Sequence, residues 1–307
     1  VSLGTATSTF VPMMRTALVA LLVGAVLTAC GIRIVKYEFA EDNAVAEKFT
    51  SVRVRTGSGV VAIRYVPGLS ETKIHRRVEH NKDNRPTGVS HRIEGTTLVL
   101  DDCGRDCEVN YDVQVPSAEI AVQGDVGSGD VTLEGLASVD YQTGSGRIVV
   151  QNIAGNVQVT SGSGDINVRD VAGDVKAITG SGKFEAAKIK GSVTADLGSG
   201  NITLDQLQGK VLVNTSSGNI TGTAIDNDVT ADAESGNVEL NFVSARTARV
   251  VSGSGNITVR VPVSAGPYKV TAESGSGDRR VDVPTDPAAK NELKLTADSG
   301  NVKVLAV

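Results

Sequence analysis

Apolar and polar residues alternate along this chain in short bursts, and the bursts recur at a fixed interval. After Ser161-Gly162-Ser163-Gly164, apolar side chains stand 2, 4, 7, 11 and 13 residues beyond the last glycine, at Ile166, Val168, Val171, Val175 and Ala177. The same offsets give Ile148, Val150, Ile153, Val157 and Val159 after Gly146, and Ile202, Leu204, Leu207, Val211 and Val213 after Gly200. Two stretches of period 2 are two β-strands, each with one buried face, and the residue at +7 turns inward at the corner between them. The marker glycine recurs at Gly129, Gly146, Gly164, Gly182, Gly200, Gly218, Gly236, Gly255, Gly277 and Gly300; from Gly146 to Gly236 every interval is 18 residues. Fixed self-similarity of this length specifies a solenoid. An isolated rung buries too little apolar surface to offset the ordering of its own backbone, so rungs must stack. The predicted fold class is all-β, a single-stranded β-helix with 18-residue rungs. About ten rungs would run for about 50 Å.

The irregular rungs obey the same rule. The Gly129–Gly146 interval is one residue short and the Gly236–Gly255 interval one long. The second-strand pairs shift to Val139 and Tyr141, and to Ala248 and Val250, which keeps the strand phase and leaves the corner to absorb the change. A slip of one residue would turn the core outward. A further glycine at +9 (Gly155, Gly173, Gly191, Gly209) gives way to Asn227, an exchange that predicts positive φ there. Beyond Gly255, loops are expected around 262–267 and 279–292. No polar cap follows the last strand, Asn301–Val307, which predicts an edge open to strand addition by a partner.

The solenoid extends from 49 to 307, with irregular rungs over 49–118 and the regular array over 119–307. Phe49–Val66 reads as a first rung of two strands around Gly57-Ser58-Gly59. Lys73–Glu79 and Thr97–Leu100 read as strands flanking an exposed loop, and Glu108–Pro116 leads into the array.

Residues 13–29 have the form of an export signal: Arg15, then an apolar run from Ala17 to Leu27 that is too short to span a bilayer. Leu27-Thr28-Ala29-Cys30 resembles the lipobox of bacterial lipoproteins. The resemblance implies diacylglycerol on the Cys30 thiol, cleavage just before it, and 30–48 as lipid anchor and tether with the membrane as partner. Two or more acyl chains would anchor the chain stably. Residues 1–12 fit no signal and are expected to be an upstream extension of the true start.

Composition narrows the function. Only 3 % of residues are aromatic, and the formal charge is −5. Without a basic stripe, nucleic acid is not an expected partner. With Cys30 lipidated, Cys103 and Cys107 remain as an even pair, spaced to form a disulfide that pins a loop between two strands. Their three intervening residues do not match the usual redox pair. His75, His80 and His91 match no zinc spacing and read as solvated loop residues, so no metal or cofactor is expected.

The residue after each marker glycine forms a column: Asp130, Arg147, Asp165, Lys183, Asn201, Asn219, Asn237 and Asn256, then Asp278 and Asn301. A calcium roll needs carboxylates from successive turns. Alternating charge followed by asparagines predicts a charge-paired ladder that continues as an amide ladder. The serine before each marker glycine is no nucleophile, since no histidine follows His91; it is expected to cap backbone groups. The Gly-Ser-Gly runs lead into strands and not into a phosphate-binding helix. Corners this short cannot wall a cleft, so the chain is expected not to be an enzyme, with a polysaccharide-active β-helix as the alternative.

Taken together, the lipobox, the Cys103/Cys107 pair before an alternating strand ending Val115-Pro116, and the Ser-Gly-Asp/Asn-Ile/Val repeats resemble the putative-adhesin β-strand-repeat family. This is a bacterial envelope domain of unknown function, similar to head domains of auto-transporter adhesins. The resemblance covers about 49–307. It implies a right-handed helix, no catalytic residues and an actinobacterial or other Gram-positive envelope. The expected protein is a monomeric, lipid-anchored solenoid on the outer face of the cytoplasmic membrane. It would bind an envelope protein or glycan, as an adhesin, or alternatively serve as an envelope-stress partner of a membrane protein.

Overall fold

The computed structural model describes residues 36–307. The signal, Cys30 and the start of the tether lie outside them. Two sheets, of 14 and 13 strands, face one another, and each rung gives one strand to each. In the Gly182 rung, Val175–Ser181 lies in the 13-stranded sheet and Phe184–Ile189 in the 14-stranded sheet. Ladders between successive rungs are parallel and in register, so that Ile148, Ile166, Phe184 and Ile202 form one buried column. The irregular rungs keep phase: Val139 pairs with Val157 and Tyr141 with Val159, while Ala248 pairs with Val229 and Val250 with Ala231.

A sixth inward column lies three residues before the marker glycine. It holds Thr143, Ser161, Thr179, Leu197, Thr215, Ala233 and Ser252, all buried. The hydroxyls of Thr143, Thr179, Thr215 and Ser252 satisfy corner carbonyls, while that of Ser161 has no partner among the described residues. Thr215 Oγ1 donates to the Gly200 carbonyl at 3.1 Å, and Ser252 Oγ to that of Gly236 at 3.0 Å. Capping therefore falls to this column, and the serines next to the glycines, such as Ser145 and Ser163, are exposed.

The two glycine columns have different causes. Gly200 has φ +140°, and a Cβ there would lie 1.8 Å from the Gly182 carbonyl oxygen, so both conformation and contact exclude a side chain. At +9 the expected positive φ is absent: neither Gly209 nor Asn227 adopts it. Gly209 is there because a Cβ would meet the Gly191 carbonyl oxygen at 2.1 Å. The left-handed residue stands at +6 and is never glycine in these rungs: Asn152, Asp170, Lys188, Gln206 and Ala224 have φ of +58°, +54°, +56°, +55° and +51°. It turns the chain so that the next side chain, at +7, points inward.

Chain order and stacking order part company at both ends. The Gly59 rung (Ser51–Ser58, Val61–Tyr65) stacks directly on the Gly129 rung, and the later rung Thr97–Asp101/Cys107–Val115 lies outside it. At the far end the last rung in sequence, Glu292–Ser299/Val302–Ala306, inserts between the Gly255 rung and the Gly277 rung. Val302–Val304 is thus covered by Arg279–Val281, contrary to expectation, and that segment is a strand where a loop was predicted. The inward side chains explain the order. Leu293, Leu295, Ala297, Val302 and Val304 are uniformly apolar and fully buried. The matching positions of the outer rung are Val270, Ala272, Ser274, Arg279 and Val281. An arginine sandwiched between rungs would be an unpaired buried charge, so this rung goes outermost.

The N-terminal end is sealed. Thr72–Asn81 runs antiparallel to Cys107–Val115, and His91–Glu94 antiparallel to Thr97–Asp101. Lys36–Val45 borders Thr72–Asn81, so much of the predicted tether is an edge strand. Beneath this cap Arg76 is 1 % exposed and donates to the Glu41 carboxylate (2.5 Å), Ser90 Oγ (2.8 Å) and the Gly88 carbonyl (2.9 Å). The Tyr111 hydroxyl donates to the Asp101 carbonyl at 2.7 Å, and burial pushes its pKa up to about 12. The histidines are not loop residues. His75 and His80 share the Thr72–Asn81 strand on opposite faces: His75 is exposed against Asp42 at 2.7 Å, and His80 is buried and stacked on Tyr37.

A marker glycine can be told apart by mutation from the glycine two residues before it, which has no left-handed φ. Gly200→Ala should cost about 3 kcal/mol or more, from strain and the carbonyl contact together. Gly198→Ala should cost about 1 kcal/mol: its φ is not left-handed, its Cβ would meet the Gly180 carbonyl oxygen at 2.7 Å, and Ser216 and Glu234 stand at the same position, two residues before Gly218 and Gly236. Urea unfolding of the two variants measures the difference, and equal losses would contradict it.

Candidate functional site

The predicted ladder residues do share one corner, but the bonds differ from those expected. The Asp130 carboxylate accepts the Arg147 backbone N–H at 2.8 Å, and the Asp165 carboxylate accepts that of Lys183 at 2.9 Å. Among the described residues no ion pair joins Arg147 or Lys183 to these aspartates. The next rung's N–H lies closer than any mobile ammonium or guanidinium, so the carboxylate takes it and the cations stay in solvent. The predicted charge pairing is corrected accordingly. The amide half is continuous: Asn201, Asn219 and Asn237 each accept through Oδ1 from the following N–H at 2.9 Å, ending on Asn256. It then follows stacking order: Asn256 Oδ1 accepts from Asn301 N–H at 2.9 Å, and Asn301 Oδ1 from Asp278 N–H at 2.8 Å.

A second ladder at the opposite corner escaped sequence reading. Asn156 Oδ1 accepts from Asp174 N–H at 2.9 Å, and Asp174 from Ser192 N–H at 2.7 Å. Its signal was the short polar residue following the +9 glycine in those rungs. Cys103 and Cys107 are bonded, with Cα atoms 5.9 Å apart, under the sealed end. Among the described residues no group of three or more His, Cys, Asp or Glu could hold a metal, and no helix is long and apolar enough to cross a membrane.

Two outer surfaces stand out among the described residues. On the 13-stranded sheet, alternate outward residues from four rungs line a shallow groove of about 400 Å³. Arg53 and Arg55 stand at one end, with Gln123, Asp125, Asp140, Gln142 and Gln158 beyond. Gln142 Nε2 donates to Asp125 at 3.0 Å. The groove is open to solvent and bipolar, with cations at one end and carboxylates and amides beyond. The other surface is the outer side of the Gly277 rung, which carries no antiparallel cap. There a depression of about 550 Å³ lies among Val270, Ala272, Val281 and Pro287, flanked by the cations Lys269 and Arg279 and by one carboxylate, Asp286.

A family model described as Toastrack DUF4097 matches residues 109–305. No curated protein matches the chain. Among solved structures, a putative adhesin from Parabacteroides distasonis ATCC 8503 is similar over 87 % of this chain and 97 % of its own, at 15 % identity and a TM-score of 0.38. A putative adhesin from Parabacteroides merdae ATCC 43184 covers 87 % and 96 %, at 13 % identity and a TM-score of 0.33. A putative lipid binding protein from Parabacteroides distasonis ATCC 8503 covers 88 % and 96 %, at 10 % identity and a TM-score of 0.29.

The ladder geometry sorts its members. Asp165→Ala and Asn219→Ala should each lower unfolding free energy by about 1 kcal/mol, by stranding an N–H of the next rung. Arg147→Ala and Lys183→Ala should stay within about 0.5 kcal/mol of the parent. Chemical denaturation at low and high salt checks both. A salt-sensitive loss at Lys183 would restore the charge-paired reading.

Proposed function

The chain belongs to the Toastrack DUF4097 family, and on that footing we propose that it is a lipid-anchored, non-enzymatic binding solenoid of the bacterial envelope. Cys30 holds it to the outer face of the cytoplasmic membrane, and the polar outer faces of its sheets meet an envelope glycan or protein. The anchor rests on the signal and lipobox at 13–30. The binding role rests chiefly on the groove over Arg53, Arg55, Gln123, Asp125, Asp140 and Gln142, where a regular array of donors and acceptors faces solvent. Such a surface makes wet, rim-like contacts spread over many side chains, as adhesion requires. The corners of the regular rungs are too short to shield a reacting centre from water.

Two measurements test the two halves. Cys30→Ser should move the protein from the membrane fraction to the medium; full membrane retention would remove the anchor. Purified protein should bind whole cells or isolated cell-wall glycan, and Arg53→Glu with Arg55→Glu should weaken that binding about tenfold or more without changing the melting temperature. Undiminished binding would place the contact elsewhere.

A further inference from the structure

The two ends of the solenoid are built differently. The N-terminal end is closed by two antiparallel strands and a buried arginine. The opposite end stops at the Gly277 rung, whose strands Lys269–Ser276 and Arg279–Val281 are the last of their sheets. In the rungs from Val139 to Val229 the backbone N–H at the first inward position of this sheet bonds to the next rung, as Val157 N–H does to the Asp174 carbonyl at 2.8 Å. Val270 occupies the same register, through Leu293, Ala248 and Val229. Lys269 N–H turns back to Asn291. The N–H groups of Val270, Ala272 and Ser274 therefore face away from the stack, because successive residues of a strand alternate direction. Asp278 ends the corner ladder: its own N–H is taken by Asn301, and it occupies the column in which Asp130, Asp165 and the asparagines each accept the next N–H.

The side chains repeat the pattern. Val270 and Ala272 point toward the core but are only half buried, and Val281 is 38 % exposed. The chain does not close over them. Residues 282–291 return to the inner rung, touching the margin at the Tyr268–Thr285 bridge. Lys269 is paired with Glu292 at 3.0 Å. Arg279, at an inward register position, has no hydrogen bond or ion pair from its side chain among the described residues.

We infer that this end takes up an extended segment of a partner polypeptide as an added strand on Lys269–Ser276. Its alternate apolar side chains fill the depression over Val270, Ala272 and Val281, and a carboxylate meets Arg279. Strand addition supplies what the edge lacks: carbonyls for its free N–H groups, apolar cover for the core and an anion for the guanidinium. A second copy docked end to end would bring the arginines of both molecules to the same uncovered core, so like charges disfavour that occupant. The inference does not depend on the anchor or on binding by the polar groove.

The test uses the purified protein and a fluorescent ten-residue peptide alternating valine and threonine around one glutamate. Control peptides carry lysine for the glutamate, or methyl groups on alternate backbone nitrogens. Saturable binding of the glutamate peptide is expected, with the lysine peptide about tenfold weaker and the methylated one silent. Arg279→Glu should invert the glutamate–lysine preference. Ala272→Pro removes one outward N–H without touching the bonds to the inner rung, and should abolish binding. If Ala272→Pro does not fold, by circular dichroism, the methylated peptide carries the same test. No binding, binding indifferent to methylation and to Arg279→Glu, or self-association that blocks the peptide would each overturn the inference. Groove variants Arg53→Glu and Arg55→Glu should leave peptide binding unchanged.

Discussion

The structure depends on how closely one backbone corner passes over the next. At each marker glycine the chain bends with a φ that L side chains rarely adopt, directly against the carbonyl of the glycine beneath. Wherever that contact holds, strand spacing, register and the reach of the corner ladders follow. Asn219 can accept the Asn237 N–H at 2.9 Å because nothing stands between the two backbones. Six inward columns then fall into line, five apolar and one in which hydroxyls serve the corner carbonyls.

A solenoid built this way grows by equivalent steps, so sequence neighbours need not be stacking neighbours. The rungs have nearly interchangeable corners, and position is decided by what each would bury. Leu293, Leu295, Val302 and Val304 make a fully apolar rung that gains most from being covered on both sides. The Gly277 rung carries Arg279 at an inward position and loses least at the end. The chain accepts a return loop across 282–291 to achieve this order, since longer loops add little closure entropy.

The same logic separates the surfaces by chemistry. The long faces are polar, regular and open, suited to many weak contacts. One end is closed by Thr72–Asn81 and His91–Glu94 around Arg76 and Tyr111, while at the other, among the described residues, strand N–H groups, apolar side chains and the Arg279 guanidinium have no partner. The molecule therefore has a direction, with its open edge at the far end from the strand nearest Cys30 in sequence.

Much of this was legible in the residues alone. Period, strand phase, the five apolar columns and the shared corner of Asp130 to Asn256 all follow from local alternation, because a strand's two faces and an 18-residue coil are one-dimensional facts. Other features needed the fold. Which glycine was left-handed and which merely close-packed depended on the rung beneath. Whether Asp165 met Lys183 through its ammonium or its N–H depended on distances across a corner. The burial of His80 and Arg76 depended on the strand Lys36–Val45, whose alternation is weak. The exchange of the terminal rungs was invisible because each keeps a proper repeat sequence, and only competition between rungs for a covered place, a comparison across the whole stack, puts Arg279 and the open edge at the end.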